Sequence, residues 1–576
     1  MTVFPVKSLA WGALALVLPV AVAAQEVGRP LPLSQPFDPD TMERVDPPAG
    51  EPIGQIEVDA LKAPNPQGIG TMNAAQGGFA ATLWEGTPVS VARTLIPLLP
   101  AGSGSRALAG LERRLLLTTA PPPAGARPED RPSLVELRAE RLLAMGALDD
   151  LLTLSRAVPA AVSGPLFERV RRDGKLLSGD LQGACADAAS RAPDLADPQQ
   201  PKMLVLCQLT SGRGLEANFG LDLMRERKEP DHAFIAAAEV LAGVPAPEKV
   251  ELEAATPLHV AAFTAAKLAL PESSLAQASA AVAQAVAQAE SNPVELRMAA
   301  AERAEAAGSL KVDALRKVYL QMTFAPDELS SPMTRADTAG PRARALLFRA
   351  ATDQPDAGIR AQFVAKAVSL AQKQGQVAAA ARVFEDILTT IRPDPSLAVQ
   401  APAFARALYA LDRPEAAAKW LDMARGNDGA MKEAASLWPL SAVAEAVPGR
   451  EVALAGLAGW RQSLTGLAPE TAARRMAVVL GSLAGLGSKI PPELWLETLA
   501  LPRSGPKPGL FALIQSAALD AKLGTTLLAV LAAVGDTPLS QLDSITLSDS
   551  ISALSVVGQG ESARRLAIEA MLANGV

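Results

Sequence analysis

Leu142-Leu143-Ala144-Met145-Gly146, Leu176-Leu177-Ser178-Gly179 and Val205-Leu206-Cys207-Gln208-Leu209-Thr210-Ser211-Gly212 share one grammar. An apolar run leads to a glycine, and a second apolar segment follows. The three glycines stand 33 residues apart, twice over. A period of that size, with a glycine between two helical halves, marks stacked helical hairpins. Working outward, Ala184 and Ala217 lie five residues after Gly179 and Gly212, and Ala188 and Leu221 lie nine after. Downstream, Gly375 precedes Ala380 and Phe384, Asp412 stands in the glycine's place ahead of Ala417 and Leu421, and Gly558 precedes Ala563 and Ala567. Positions five and nine from a turn are four apart, and so share one helical stripe. The small residue lets two helices approach and the larger one fills the groove. Gly146 departs from the rule, with Leu151 in the fifth place.

These segments resemble tetratricopeptide-like repeats. The family's turn glycine corresponds to Gly179, Gly212 and Gly375, its small second-helix residue to Ala184, Ala217, Ala380 and Ala417, and its large apolar position to Phe384 and Leu421. The family's first-helix tryptophan and paired tyrosines are missing, and the chain has only two tyrosines. The resemblance implies an all-α chain of stacked hairpins, an α-solenoid, and carries no binding residues across. The expected turns are Gly146, Gly179, Gly212, Gly375, Asp412 and Gly558.

Composition agrees. Hydrophobic residues make up 49% of the chain and aromatics 4%, which suits close-packed helices better than sheets. A length of 576 residues exceeds one compact core. A solenoid escapes that limit because each hairpin packs only on its neighbours.

Residues 1–24 read as a secretory signal peptide. Lys7 gives a thin positive region, residues 8–20 are apolar or small apart from Pro19, and Ala21-Val22-Ala23 or Val22-Ala23-Ala24 offers the cleavage site. The competing reading is an N-terminal membrane anchor, for which the stretch is short. Later apolar runs such as residues 527–534 are too short to cross a bilayer, so no span is expected in the mature chain. Losing Lys7 takes the formal charge from −7 to −8, which argues against nucleic acid as a partner. Abundant Ala, Gly, Pro and Arg suit a high-GC bacterial genome, and export from such a cell leads to the periplasm.

Residues 25–80 are rich in proline and glycine and read as a disordered leader. Residues 81–120 form a short helical segment, with Thr87 as N-cap and Pro88 at the first helical position. Residues 121–132, opening on Pro121-Pro122-Pro123, are a linker. A first helical block covers 133–325, a second linker 326–341, and a second block 342–576, whose last pair would cap the stack.

Several stretches have the form of chemical motifs. Gly212-Arg213-Gly214-Leu215-Glu216-Ala217 fits the G-x-G-x-x-A dinucleotide fingerprint and follows Met203-Leu204-Val205-Leu206, which could pass for a strand. Residues 234–241 read as helix where a second strand is needed, so the glycines are assigned to a hairpin turn. Thr256-Pro257-Leu258-His259-Val260-Ala261-Ala262 resembles the ankyrin signature but has no copy 33 residues away, and reads as a helix start capped by Thr256. His232 and His259, with two cysteines, give no zinc spacing. Ser504-Gly505-Pro506-Lys507 matches S-x-x-K in a proline-rich turn, without its companion motifs. Glu272-Ser273, Glu290-Ser291 and Glu561-Ser562 resemble the Glu-Ser pair of lytic transglycosylases, but read as solvated helix residues. Cys185 and Cys207 fall in adjacent helices of the stack. They form either a disulfide, which an oxidising compartment and an even count favour, or two buried thiols.

No catalytic, cofactor-binding or metal-ligating residue is therefore expected. The expected function is a periplasmic, non-enzymatic scaffold or assembly factor. It would bind a protein or peptide partner in an envelope complex, such as a flagellar motor, an export complex or cell-wall machinery. The alternative is a cell-envelope enzyme or enzyme subunit with a site in the solenoid hollow.

Overall fold

The computed structural model describes residues 65–576, apart from 160–162, 191–196, 227–230, 338–339, 502–504 and 506. The expected signal peptide, and the leader as far as residue 64, lie outside the described residues, as does Ser504. Residues 65–80, assigned above to the disordered leader, are folded. Short 3-10 turns form at Pro66–Gly68 and Ala74–Gln76, each opened by an asparagine side chain that accepts a backbone N–H. The glycines here serve close approach. A Cβ on Gly68 would stand 2.2 Å from the Ala120 carbonyl oxygen, and the two segments exchange backbone hydrogen bonds. Buried Gln67 donates to the Arg127 carbonyl and accepts from the Leu134 N–H. The proline-rich stretch at 121–132 is held in the same way, for Val89 donates to the Ala124 carbonyl and Ala124 to that of Thr87.

The first helices are α1 (Val89–Leu95) and α2 (Arg106–Leu117). Helix α1 starts one residue later than expected, with Pro88 at the cap. Thr87 does not cap it. Its hydroxyl is buried and accepts a hydrogen bond from Thr525, far along the chain.

Three hairpins follow: α3 (Leu134–Ala144) with α4 (Leu148–Ala157), α5 (Pro165–Leu177) with α6 (Leu181–Ala189), and α7 (Gln200–Thr210) with α8 (Gly214–Arg225). Gly146, Gly179 and Gly212 stand at their turns with φ of +77°, +82° and +77°. In each, the next residue donates its N–H to the carbonyl five positions back, as Ala147 does to Leu142, Asp180 to Lys175 and Arg213 to Gln208. This is the left-handed helix stop that a glycine reaches without a Cβ penalty.

The chain continues through α9 (His232–Leu241), α10 (Pro257–Ala265), α11 (Ala280–Gln288), α12 (Val294–Ala307) and α13 (Val312–Gln321). The expected linker at 326–341 instead contains α14 (Pro326–Ser330) and α15 (Pro332–Arg335). Its prolines stand at first helical positions, where the missing N–H costs nothing, and the Glu328 carboxylate accepts the Ala325 N–H. Next come α16 (Pro341–Asp353), the pair α17 (Ala357–Lys373) and α18 (Val377–Thr390) about Gly375, and the pair α19 (Ala401–Ala410) and α20 (Pro414–Arg425) about Asp412. Then follow α21 (Met431–Ser436), α22 (Trp438–Ala444), α23 (Leu454–Arg461), α24 (Pro469–Gly485) and α25 (Pro492–Trp495). The last are α26 (Pro508–Leu519), α27 (Leu523–Val534), α28 (Ser544–Val556) and α29 (Gly560–Ala573). Gly375, Asp412 and Gly558 also have positive φ, +68°, +57° and +79°.

The fold is all-α, and the described residues hold isolated β-bridges but no strand. The stripe residues Leu151, Ala184, Ala217, Leu221, Phe384, Ala417, Leu421, Ala563 and Ala567 are buried. A stack in which each hairpin meets only its neighbours does not account for the packing. Helix α1 packs on α27, and α2 packs on α27 and α29. Helix α29 also touches α18, α19, α22 and α24. The expected C-terminal cap is thus an interior helix. A cap needs a polar outer face, whereas α29 buries Leu566, Ile568, Met571 and Leu572 on several sides.

Candidate functional site

Where α2, α12, α18 and α29 meet, four charged side chains interlock. Glu305 on α12 is 1% exposed and lies between Arg106, at 2.7 Å, and Arg382, at 2.6 Å. Glu569 on α29 accepts the backbone N–H groups of Arg106 (3.0 Å) and Ala107 (3.3 Å) and the hydroxyl of Ser105. Those donors open α2, and an anion beside them satisfies helix-terminal N–H groups. Burial pushes the Glu569 carboxyl up, against the pull of these hydrogen bonds. Each member of this group has a partner, and its role is to hold four distant helices together.

A small cavity of about 90 Å³ lies beside it. Ala367, Ala371, Ala380 and Phe384 line one side, and Glu302, Tyr319 and Arg344 the other. The Tyr319 hydroxyl donates to Glu302 at 2.5 Å, and Arg344 holds both carboxylate oxygens at 2.9 and 2.6 Å. Burial first, then the Glu302 charge, holds the Tyr319 phenol well above its ordinary value. The phenol therefore stays a donor and the carboxylate is occupied by its arginine. Such a cavity can enclose an apolar group. Both carboxylates at this place are engaged, Glu302 by Arg344 and Tyr319 and Glu305 by Arg106 and Arg382.

The residues singled out by sequence fall in different places. The six turn positions lie at six separate hairpin bends and share no site. Cys185 on α6 and Cys207 on α7 are joined as a disulfide, their Cα atoms 5.6 Å apart. The bond ties one hairpin to the next. Gly212 and Gly214 belong to a turn and helix start after α7, so the dinucleotide-like motif lacks its strand. Thr256 caps α10 as expected, in a reciprocal box with His259. The imidazole Nδ1 accepts the Thr256 N–H at 3.2 Å, and Nε2 donates to Asp231 at 3.0 Å. Asp231 also accepts from Lys202 and caps α9 through the Phe234 N–H. Burial alone would raise the Asp231 carboxyl, but the hydrogen bonds from His259 and Lys202 outweigh it and hold it far below its usual range. The histidine thus braces two helix starts. Glu272 and Glu290 are exposed outside the α-helices, and Glu561 is 77% exposed beside Arg565. Among the described residues no group of three His, Cys, Asp or Glu side chains could hold a metal ion.

The clearest apolar surface that the described residues leave uncovered was not anticipated. On α8, Leu215, Phe219 and Leu223 are 90%, 68% and 53% exposed. They lie four apart, on one face. Leu204 on α7 is 54% exposed. The opposite face of α8 puts Ala217, Leu221 and Met224 in the core. At the margins, Arg213 pairs with Glu216, and Arg225 with Asp222 and Glu239. The signal was present in the sequence. Once Ala217 and Leu221 are given to the core stripe, Leu215, Phe219 and Leu223 form a second one. No helix of the described residues is long and apolar enough to cross a membrane. Neither a family model, nor a curated protein, nor a solved structure matches this chain.

Proposed function

We propose that this protein is an exported, periplasmic, non-enzymatic scaffold or assembly factor that binds a protein partner in a cell-envelope complex. The observation that carries the reading is the bare apolar face of α8. Isolated exposed apolar side chains are ordinary, but a helical row of three with charged margins is the form a partner helix or groove covers. The paired carboxylates of the Glu302–Tyr319–Arg344 cavity give the enzyme alternative no comparable support. Export rests on the sequence of residues 1–24.

The test compares tagged wild type with a Leu215→Ser/Phe219→Ser/Leu223→Ser variant, each purified from periplasm. The variant should keep its circular dichroism and melting temperature, because these side chains are outside the core. It should lose a co-purifying protein that the wild type retains. An identical set of co-purifying proteins sinks the α8 reading. Residues 1–30 fused to a reporter active only outside the cytoplasm should give activity, and a silent fusion sinks the export reading.

A further inference from the structure

A groove of about 330 Å³ runs between α26 and α28. Ile514 and Ala518 on one helix and Ala553 on the other are buried at its floor. Leu519, 85% exposed, and Val556, 60% exposed, form its rims. Each helix contributes residues three and four apart, so two ridges flank a channel of the kind that receives the ridge of a third helix. Asp549 stands in the lining. Its Oδ2 is closed off from solvent and meets no hydrogen-bond donor among the described residues. The charge beside it is another carboxylate, Asp543, which caps α28. Burial, and then Asp543, pushes the Asp549 carboxyl upward. The Asp549 side chain is only part-buried, so its carboxylate presents a negative charge to the groove that a cation entering from outside complements.

We infer that this groove docks a helical segment of a partner protein that carries an arginine or lysine beside apolar side chains, with the cation on Asp549 and the apolar groups across Leu519 and Val556. Gln515 and Ser552, also in the lining, supply polar contacts at the edge. An isologous contact between two copies would set Asp549 against an equally acidic face, so a basic segment from another protein is the complementary occupant. The inference goes beyond the α8 reading and uses a different face, so either stands if the other fails.

A phage library of random dodecapeptides panned on the immobilised full chain tests it. Recovered peptides should carry a basic residue flanked by Leu, Ile, Val or Phe. They should bind Asp549→Asn roughly ten-fold or more weakly than wild type. Replacing the peptide's basic residue with citrulline should produce the same loss, and that peptide should no longer distinguish Asp549→Asn. Leu519→Ser, at a position outside the core, should weaken binding with the melting temperature unchanged. Failure to enrich any peptide, enrichment of peptides without a basic residue, or equal binding to Asp549→Asn overturns the proposal. So does a dimer that Leu519→Ser converts to monomer, which would make the groove a self-contact.

Discussion

Ala521 adopts φ +53° between α26 and α27, the position that glycine or aspartate takes in the other hairpins. A left-handed conformation costs an L-residue about 1 kcal/mol. Ala521→Gly should therefore raise stability by about 0.5 kcal/mol, the rest being lost to the looser unfolded chain. The reverse change, Gly179→Ala, should lower stability by the same amount, about 0.5 kcal/mol, with no clash added, because nothing lies within 4 Å of the Cβ it would add. Urea midpoints check both, and equal midpoints refute the strain argument. Glu112 on α2 poses a different problem. It is 1% exposed and its Oε1 meets no hydrogen-bond partner among the described residues. Burial, opposed by Arg141 and aided by Asp536, pushes its carboxyl from 4.5 up to about 8. Between those values the unfolded chain has released a proton that the fold keeps. The contribution of this group is thus fully present below pH 4.5 and is lost as pH rises to about 8. Glu112→Gln should remove that slope and raise stability near pH 8 by about 4 kcal/mol. Denaturation curves at both ends of the window decide it, and an unchanged slope would refute it.

The hairpins were legible from sequence because a helix stop is a local event. A residue at positive φ, a small residue five positions later and an apolar one nine later all act within one turn and the helix it opens. This covers Gly179, Gly212 and Gly375, and even Asp412. The α8 face was harder to read. Its two stripes, Ala217-Leu221 and Leu215-Phe219-Leu223, are both apolar, and periodicity alone does not say which one faces the core. The fold of residues 65–80 was hidden for another reason. Proline and glycine mark disorder when they stay solvated, but here they permit a backbone to lie against residues 117–120. Between elements, the disulfide from α6 to α7 closes a span of 22 residues. Restricting the unfolded chain over such a span contributes about 3 kcal/mol. Cys185→Ser/Cys207→Ser should lower the melting temperature, and a reductant should lower the wild type similarly while leaving the double variant unmoved. Equal melting temperatures for wild type and variant under oxidising conditions would refute a stabilising role.

For the molecule as a whole, the decisive contacts join residues hundreds of positions apart. Ser105 meets Glu569, Thr87 meets Thr525, and Asp536 accepts the N–H groups of Ala101 and Gly102. No local pattern announces such pairs, since neither partner's sequence neighbourhood depends on the other, and so the repeats suggested an open stack. Open and joined ends respond differently to damage. In an open stack stability is a sum over neighbours, and a change in the last hairpin loosens that hairpin alone. Here the Glu569 carboxylate satisfies the N-terminal donors of α2, and α29 rests on α18, α19, α22 and α24. Glu569→Ala strips that cap and leaves buried N–H groups unpaired, at a cost of about 2 kcal/mol. Hydrogen exchange followed by mass spectrometry should then show faster exchange, by up to roughly thirty-fold, in α2 as well as in α29. The effect should also reach α12 and α18 around Glu305, while the α7–α8 hairpin, which shares none of these contacts, should keep its wild-type rates. Acceleration limited to α28 and α29 would mean that the two ends do not stabilise each other and that the hairpins behave as an open stack.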